Sequence, residues 1–104
     1  MTLLDFVIRE YIAVVEVLAQ DKPVENNRII VDRGEFKQML EQYAYITFPA
    51  KTKAYKALNF IIHDQNNYTM PYKDTELKKT VRKVIINYGT YQAVKQLYET
   101  IVNV

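Results

Sequence analysis

The chain has 104 residues, of which 49% are hydrophobic and 25% charged, and its formal net charge is +2. This length is typical of one domain with a modest core, here residues 1–104, and the composition excludes a disordered chain. Cysteine and serine are absent and there is one histidine. These absences exclude disulfides, a thiol or serine nucleophile, and a zinc site built from cysteines or several histidines.

The sequence also predicts a cytoplasmic protein that does not bind membranes. Residues 1–5 contain no basic segment followed by an apolar stretch, so no signal peptide is expected. No apolar run reaches the roughly 18–20 residues that span a bilayer. The lack of cysteine fits a reducing compartment.

The first half of the chain predicts a helix, a strand and a second helix. Apolar residues recur with helical spacing over residues 3–20, after a capping-box pattern that begins at Thr2. The β-branched residues 29–31 predict a short strand. Asp32 is placed to cap the second helix, with Glu35 expected to complete a reciprocal capping box.

The second half predicts a third helix, two strands and a last helix. Pro49 fits the first position of the third helix, which we expect to continue to about Asp64. Pro71 lies in the strand predicted after this helix, and a proline in a strand indicates that the strand lies at a sheet edge. The remaining predicted elements are a strand at 68–72, a polar loop at 73–81, a strand at 82–88 and a helix at 89–102.

Residues 29–36 and 84–91 share one pattern, a β-branched run, an Asx residue, and a glycine two positions later. The only two glycines of the chain, Gly34 and Gly89, occupy equivalent positions in it. We therefore expect the same strand-into-helix junction twice, with Asn87 capping the last helix.

These elements predict an α+β, helix-rich fold with about four helices and a small three-stranded antiparallel sheet. Two helices joined by a turn and followed by a hairpin with a basic tip are the parts of a winged helix-turn-helix domain. The strand at 29–31 is expected to pair with the strand at 82–88.

Positive charge is concentrated in residues 51–83, which contain eight lysines and arginines but three acidic residues. Such a cluster attracts anions, among which the phosphate backbone of nucleic acids is the commonest large one. The alternative is a solvated lysine-rich face without a ligand.

The third helix is the first candidate site, because in a helix-turn-helix domain this helix approaches the nucleic acid. Its outward side is expected to hold a polar and basic stripe, opposite a buried side of alanines, leucine and isoleucines. The alternative is the solvated face of a core helix. The residues expected on this side are Lys51, Thr52, Lys53, Lys56, Asn59, Phe60 and His63.

The predicted hairpin is the second candidate site, since lysine contacts phosphate without reading base identity. Lysines on an edge hairpin also prevent strand-to-strand aggregation, which is the alternative explanation. Tyr72 borders this hairpin and is expected to be exposed, where a base could stack on its ring. The basic residues of this site are Lys73, Lys78, Lys79, Arg82 and Lys83.

No residue pattern suggests catalysis. Asp32 and Glu35 already have a capping role, and no other carboxylates form an acid–base pair. His63 is expected at a helix carboxyl terminus, with no second metal ligand in reach. We expect no enzyme activity, no cofactor and no metal.

Three segments of the chain resemble one known family. They are residues 49–56 (PAKTKAYK), 59–64 (NFIIHD) and 82–88 (RKVIINY), and they are similar to small winged-helix proteins encoded with replication genes in staphylococcal cassette chromosome elements. The resemblance spans residues 32–98 and implies single-stranded DNA binding, with replication proteins of the same element as possible partners. It also implies phosphate contacts by Lys51, Lys53, Lys56, Lys78, Lys79, Arg82 and Lys83. A second family encoded in the same elements, a small subunit that acts with a polymerase in priming, is similar as well.

Three functions remain open at this point. The first is sequence-tolerant binding of single-stranded DNA in replication or transfer of a mobile genetic element. The second is a double-stranded-DNA-binding regulator, which would self-associate through the apolar first helix. The third is a protein-interaction subunit of a polymerase or primase.

Overall fold

The computed structural model describes residues 2–102, and its helices and strands follow the predicted order with one addition. Within that range the fold is α+β, with four helices and a four-stranded antiparallel sheet. The elements are α1 (Leu3–Asp21), β1 (Arg28–Val31), α2 (Arg33–Glu41), α3 (Phe48–Ala57), β2 (Ile61–Ile62), β3 (Met70–Asp74), β4 (Lys79–Asn87) and α4 (Tyr88–Val102).

The helix starts follow the capping residues. The Thr2 side chain accepts a hydrogen bond from the backbone N–H of Asp5, whose carboxylate accepts one from the Thr2 N–H, so the predicted capping box is confirmed. Asp32 accepts from the N–H groups of Gly34 and Glu35, as predicted. The reciprocal bond predicted for Glu35 is wrong, because its carboxylate lies 3.1 Å from the ammonium of Lys22 instead.

The second strand-into-helix junction repeats this solution. The Asn87 side chain accepts a hydrogen bond of 3.1 Å from the N–H of Thr90, which confirms its predicted capping role. The N–H of Tyr88 donates to the carbonyl of Asn27, so the loop before β1 also holds the start of α4.

β4 is the central strand of the sheet and pairs with the other three. β1 pairs with it from Arg28↔Asn87 to Val31↔Val84, as predicted from the two β-branched runs. β2 pairs at Ile61↔Ile86 and Ile62↔Ile85. β3 pairs with residues 79–83 only, which leaves its other edge free and agrees with Pro71 at that position.

The core lies between one face of the sheet and the helices. Alternate residues of the strands point into it, and α1 contributes Tyr11, whose ring stacks on Phe60 with centroids 3.8 Å apart. The Tyr11 hydroxyl donates to the carbonyl oxygen of Asn87, 2.5 Å away. The fully buried strand residues are Ile29, Val31, Ile61, Val84 and Ile86.

The third helix is shorter than predicted, since it ends at Ala57 and not near Asp64. Leu58 is its carboxyl cap, and Asn59 adopts a left-handed conformation with φ 59°. Asparagine tolerates this conformation better than most residues, so it ends the helix. The β-branched residues that follow pair with β4 as β2, which the helical periodicity did not reveal.

No helix within residues 2–102 is both long and apolar enough to cross a membrane.

Candidate nucleic-acid interface

The β3–β4 hairpin is closed by the four residues 75–78. The Asp74 carboxylate accepts hydrogen bonds from the N–H groups of Glu76 (2.9 Å) and Leu77 (3.0 Å), and Lys78 adopts φ 53°. An aspartate that bonds the backbone two and three residues later is a turn-forming device. The loop predicted for residues 73–81 is therefore a paired hairpin with a short, exposed tip.

Three lysines of this hairpin are exposed and have no carboxylate partner. Lys73, Lys78 and Lys79 are solvent-accessible, and within residues 2–102 no carboxylate oxygen lies within 4.0 Å of their ammonium groups. A phosphate that binds these lysines would displace water and counterions, and it would not have to break an ion pair within the described residues. These three side chains are placed as the sequence predicted.

Arg82 has a structural role that the sequence did not reveal. Its guanidinium lies 2.7 Å from the Asp64 carboxylate and also donates to the hydroxyl and carbonyl oxygens of Thr69. The hydrogen bond from Arg82 holds the pKa of Asp64 below its ordinary value. Arg82 therefore fastens the segment between β2 and β3 to β4, and three of its five N–H donors are engaged there.

Lys83 and Tyr72 lie on one face of the sheet. Lys83 stands directly opposite Met70, and its ammonium is 3.7 Å from the Asp32 carboxylate, a long ion pair. Tyr72 is 38% exposed, so the prediction that its ring is accessible is confirmed. Side chains alternate along a strand, so Lys73 lies on the opposite face, across from Thr80.

Lys51 is a correction to the predicted site. Only 1% of it is exposed, and its ammonium lies 2.5 Å from the Glu10 carboxylate in α1. It also donates to the carbonyl oxygens of Leu40 and Tyr43 at the end of α2. All three donors of the ammonium are used inside the protein, so Lys51 cannot contact a phosphate.

The buried side of α3 was predicted with the wrong phase. Thr52 is also buried, and its hydroxyl donates to the carbonyl of Pro49, whereas Ala50 and Ala57 are exposed. The phase is set by Tyr55 and Lys51, which fill the space next to α1, while alanines are too small to fill it. Lys51 and Thr52 therefore do not belong to the interface.

The other predicted residues of α3 divide into two groups. Lys53 is exposed and Lys56 half-buried, and neither has a carboxylate within 4.0 Å in the described part of the chain. Asn59 is exposed, but it lies in the turn after the helix. The outward placement of Phe60 is wrong, because it is 2% exposed and packs in the core.

His63 does not lie at a helix end as predicted. It follows β2, half-buried, with ring Nδ1 2.8 Å from the carbonyl oxygen of Asp64. Asn59, β2 and His63 do not continue the stripe of α3.

An aromatic cluster connects α3 with the base of the hairpin. Phe48 is the first residue of α3, and its ring packs edge-to-face on that of Tyr68, with the ring centroids 5.5 Å apart. Tyr68 lies two residues before the start of β3. Both rings also contact Phe36 of α2. The start of α3 and the hairpin are thus held together.

The burial of Glu10 and the exposed position of Arg28 beside the sheet were not predicted from the sequence. Glu10 falls within the apolar stripe of α1, between Val7 and Val14, and this spacing indicates a buried carboxylate that needs a partner. Arg28 begins β1 and is exposed beside the sheet, but a lone arginine before a strand gives no signal of its own.

No group of three histidine, cysteine or acidic side chains that could hold a metal ion occurs within the described residues. No protein-family model matches the chain, and no curated protein sequence is significantly similar to it.

Proposed function

We propose that this protein is a non-enzymatic nucleic-acid-binding domain that holds single-stranded DNA with little sequence preference. The observation that carries the proposal is the exposed β3–β4 hairpin, which in the described part of the chain presents three lysines without a carboxylate partner and an accessible tyrosine. Lysines that neutralise phosphates and aromatic rings that stack on bases are the two components of sequence-tolerant single-strand binding.

The order of the elements supports a winged helix-turn-helix fold as part of this proposal. Two helices, α2 and α3, follow a first strand and precede a hairpin, and a short turn joins them. In helix-turn-helix domains the second of these helices approaches the nucleic acid, here with Lys53 and Lys56. The resemblance to winged-helix proteins of staphylococcal cassette chromosome elements agrees with this assignment and suggests a role in replication or transfer of a mobile element.

Fluorescence anisotropy with labelled single-stranded and duplex oligonucleotides across a salt series tests the proposed function. We expect tighter binding to the single strand, similar affinities for different base sequences, and a steep loss of affinity with salt. Flat traces with both oligonucleotides would exclude it and leave a protein-interaction subunit as the remaining function.

A duplex-binding regulator is the second candidate, favoured by an apolar surface between α1 and α4. Ile8, Leu97 and Ile101 line a groove between these helices, and Leu97 and Ile101 are 62% and 65% exposed. A regulator of this fold binds paired half-sites as a dimer. Light scattering with a duplex of defined sequence distinguishes the candidates, because a dimer and sequence-dependent duplex affinity are expected for the regulator only.

A further inference from the structure

The outer face of the sheet, away from the core, contains an open groove of about 660 Å³. One wall is the turn between α1 and β1, and the other is β3. Residues of the turn, of β1 and of β3 line it, together with Ile85 of the central strand β4. Its volume falls within the range of ligand sites in proteins.

The floor of this groove is apolar and ends at an accessible ring. Ile30 and Ile85 are directly paired across β1 and β4, so their side chains share this face. Met70 and Tyr72 extend the floor along β3, and Tyr72 supplies the aromatic ring of the lining. An apolar floor that ends in an aromatic ring suits the face of a nucleobase.

The rim of the groove carries two basic residues and one acidic residue, and Arg28 stands across a β-bridge from Glu25. Arg28 is exposed, and within residues 2–102 no carboxylate lies within 4.0 Å of its guanidinium. Lys22 adds a second cation, although it is paired with Glu35, and Glu25 is the one acidic residue among those that line the groove. Lys79 lies on the same face of the hairpin, opposite Asp74.

We propose that this groove is a single-strand track, in which one base stacks on Tyr72 and Arg28 contacts the phosphate backbone. The inference rests on the proposed function and assigns its base-stacking surface to the sheet and not to α3. A duplex does not fit the same surface, because its bases are paired and stacked on one another and cannot lie on the apolar floor.

A tryptophan placed in the groove tests this directly, since the chain has none. We expect Tyr72→Trp fluorescence to be quenched on titration with a short oligothymidylate, saturating at the concentration that anisotropy gives for binding. Tyr43→Trp is the matched control, because Tyr43 is an exposed tyrosine outside the groove, in the turn between α2 and α3. Its fluorescence is expected to stay constant. Circular dichroism melts of both variants establish that they are folded.

A second variant tests the contact to the backbone. We expect Arg28→Ala to weaken oligothymidylate binding several-fold and to reduce the slope of log affinity against log salt by about 0.7, the value for one phosphate contact on a single strand. Arg33→Ala, an exposed arginine at the start of α2 and outside the groove, is the control and should leave both quantities unchanged.

The results separate the groove from the hairpin lysines. Oligonucleotide binding that leaves the Tyr72→Trp fluorescence unquenched, together with a neutral Arg28→Ala, would overturn the track, while the proposed function would stand on the hairpin. Quenching of the introduced tryptophan at unchanged affinity after reversal of the Lys78 and Lys79 charges would support the track and remove those lysines from the site. No binding by the unmodified protein would overturn both.

Discussion

Lys51 and Glu10 form a buried ion pair that is fully hydrogen-bonded. The Glu10 carboxylate accepts from the hydroxyls of Tyr45 and Tyr55 in addition to the Lys51 ammonium. Within the described residues no buried side-chain nitrogen or oxygen is left without a partner. A pair of this kind joins α1 to α3 at one fixed position, because a small displacement would leave a buried charge unpaired.

Loss of the Lys51 ammonium is expected to destabilise the fold strongly. Lys51→Met should lower the free energy of unfolding by about 3–5 kcal/mol, since it leaves the Glu10 carboxylate buried without a cation. Urea denaturation followed by circular dichroism measures the change. Lys53→Met, an exposed position on the same helix, should change it by less than about 0.5 kcal/mol. Equal effects of the two substitutions would contradict the buried pair.

The tyrosines around Glu10 make stability depend on alkaline pH. Burial, and after it the charge of Glu10, raise the pKa of Tyr45 and of Tyr55 above the ordinary 10.0. Above pH 10 the unfolded chain loses these protons while the folded chain keeps them, so the free energy of unfolding decreases as the pH rises.

We therefore expect a steeper loss of stability above pH 10 in the unmodified protein than in Tyr55→Phe, which has no hydroxyl to ionise at that position. Urea midpoints measured below and above pH 10 give the comparison. Identical pH slopes for the two proteins would show that Tyr55 is not held protonated by the fold.

The end of α3 depends on one residue with an unusual backbone conformation. Asn59 has φ 59°, and its carbonyl accepts a hydrogen bond of 3.1 Å from the Asn87 side chain. Asn59→Val should lower the free energy of unfolding by about 1–2 kcal/mol, the cost of a left-handed conformation for a β-branched residue. Asn59→Gly, which adopts this conformation freely, should be nearly neutral in the same denaturation assay. A valine variant as stable as the glycine variant would argue against the turn.

The hairpin is expected to contribute to binding without contributing to stability. Reversing two charges, Lys78→Glu with Lys79→Glu, should weaken single-strand binding by at least about tenfold, or about 1.4 kcal/mol. The melting temperature should stay nearly unchanged, because both side chains are exposed. Anisotropy and thermal melts measure the two effects. Gln92→Glu with Gln96→Glu on α4 makes half that change in net charge elsewhere, and a loss of about half the size in log affinity there would indicate a net-charge effect only.

The sequence predicted those elements whose signals are local. Thr2, Asp32 and Asn87 cap helices through residues two or three positions away, and the two β-branched runs pair as expected. The predictions of where the third helix ends and of which side is buried were wrong, because both depend on groups distant in the sequence. Lys51 is buried by a carboxylate on α1, and β2 exists because β4 offers it an edge.

The same distinction applies to the candidate site. Exposure of the hairpin lysines and of Tyr72 followed from a charged stretch that borders an edge strand. The engagement of Arg82 by Asp64 and Thr69 could not be predicted, since it depends on how the segment between β2 and β3 folds back on β4.

At the scale of the whole molecule, the proposed binding should depend on salt through the number of free cations. Five side chains of α3 and the hairpin are available to phosphate without losing a carboxylate partner in the described chain: Lys53, Lys56, Lys73, Lys78 and Lys79. If all five engage, the slope of log affinity against log salt is about −3.5 for a single strand and about −4.5 for a duplex. Anisotropy titrations at several salt concentrations give the slope. A value of about −1 would mean that the lysines of α3 and of the hairpin do not act on one ligand.

β4 also determines when this domain can assemble during synthesis. The other three strands precede it in the chain, and each has β4 as its pairing partner. On the ribosome, β1 and β2 therefore emerge with apolar faces and no strand to pair with until residues 79–87 have been made. The sheet therefore forms only after residues 79–87 have been made, and a nascent chain that stalls before this strand has no sheet to protect it from aggregation.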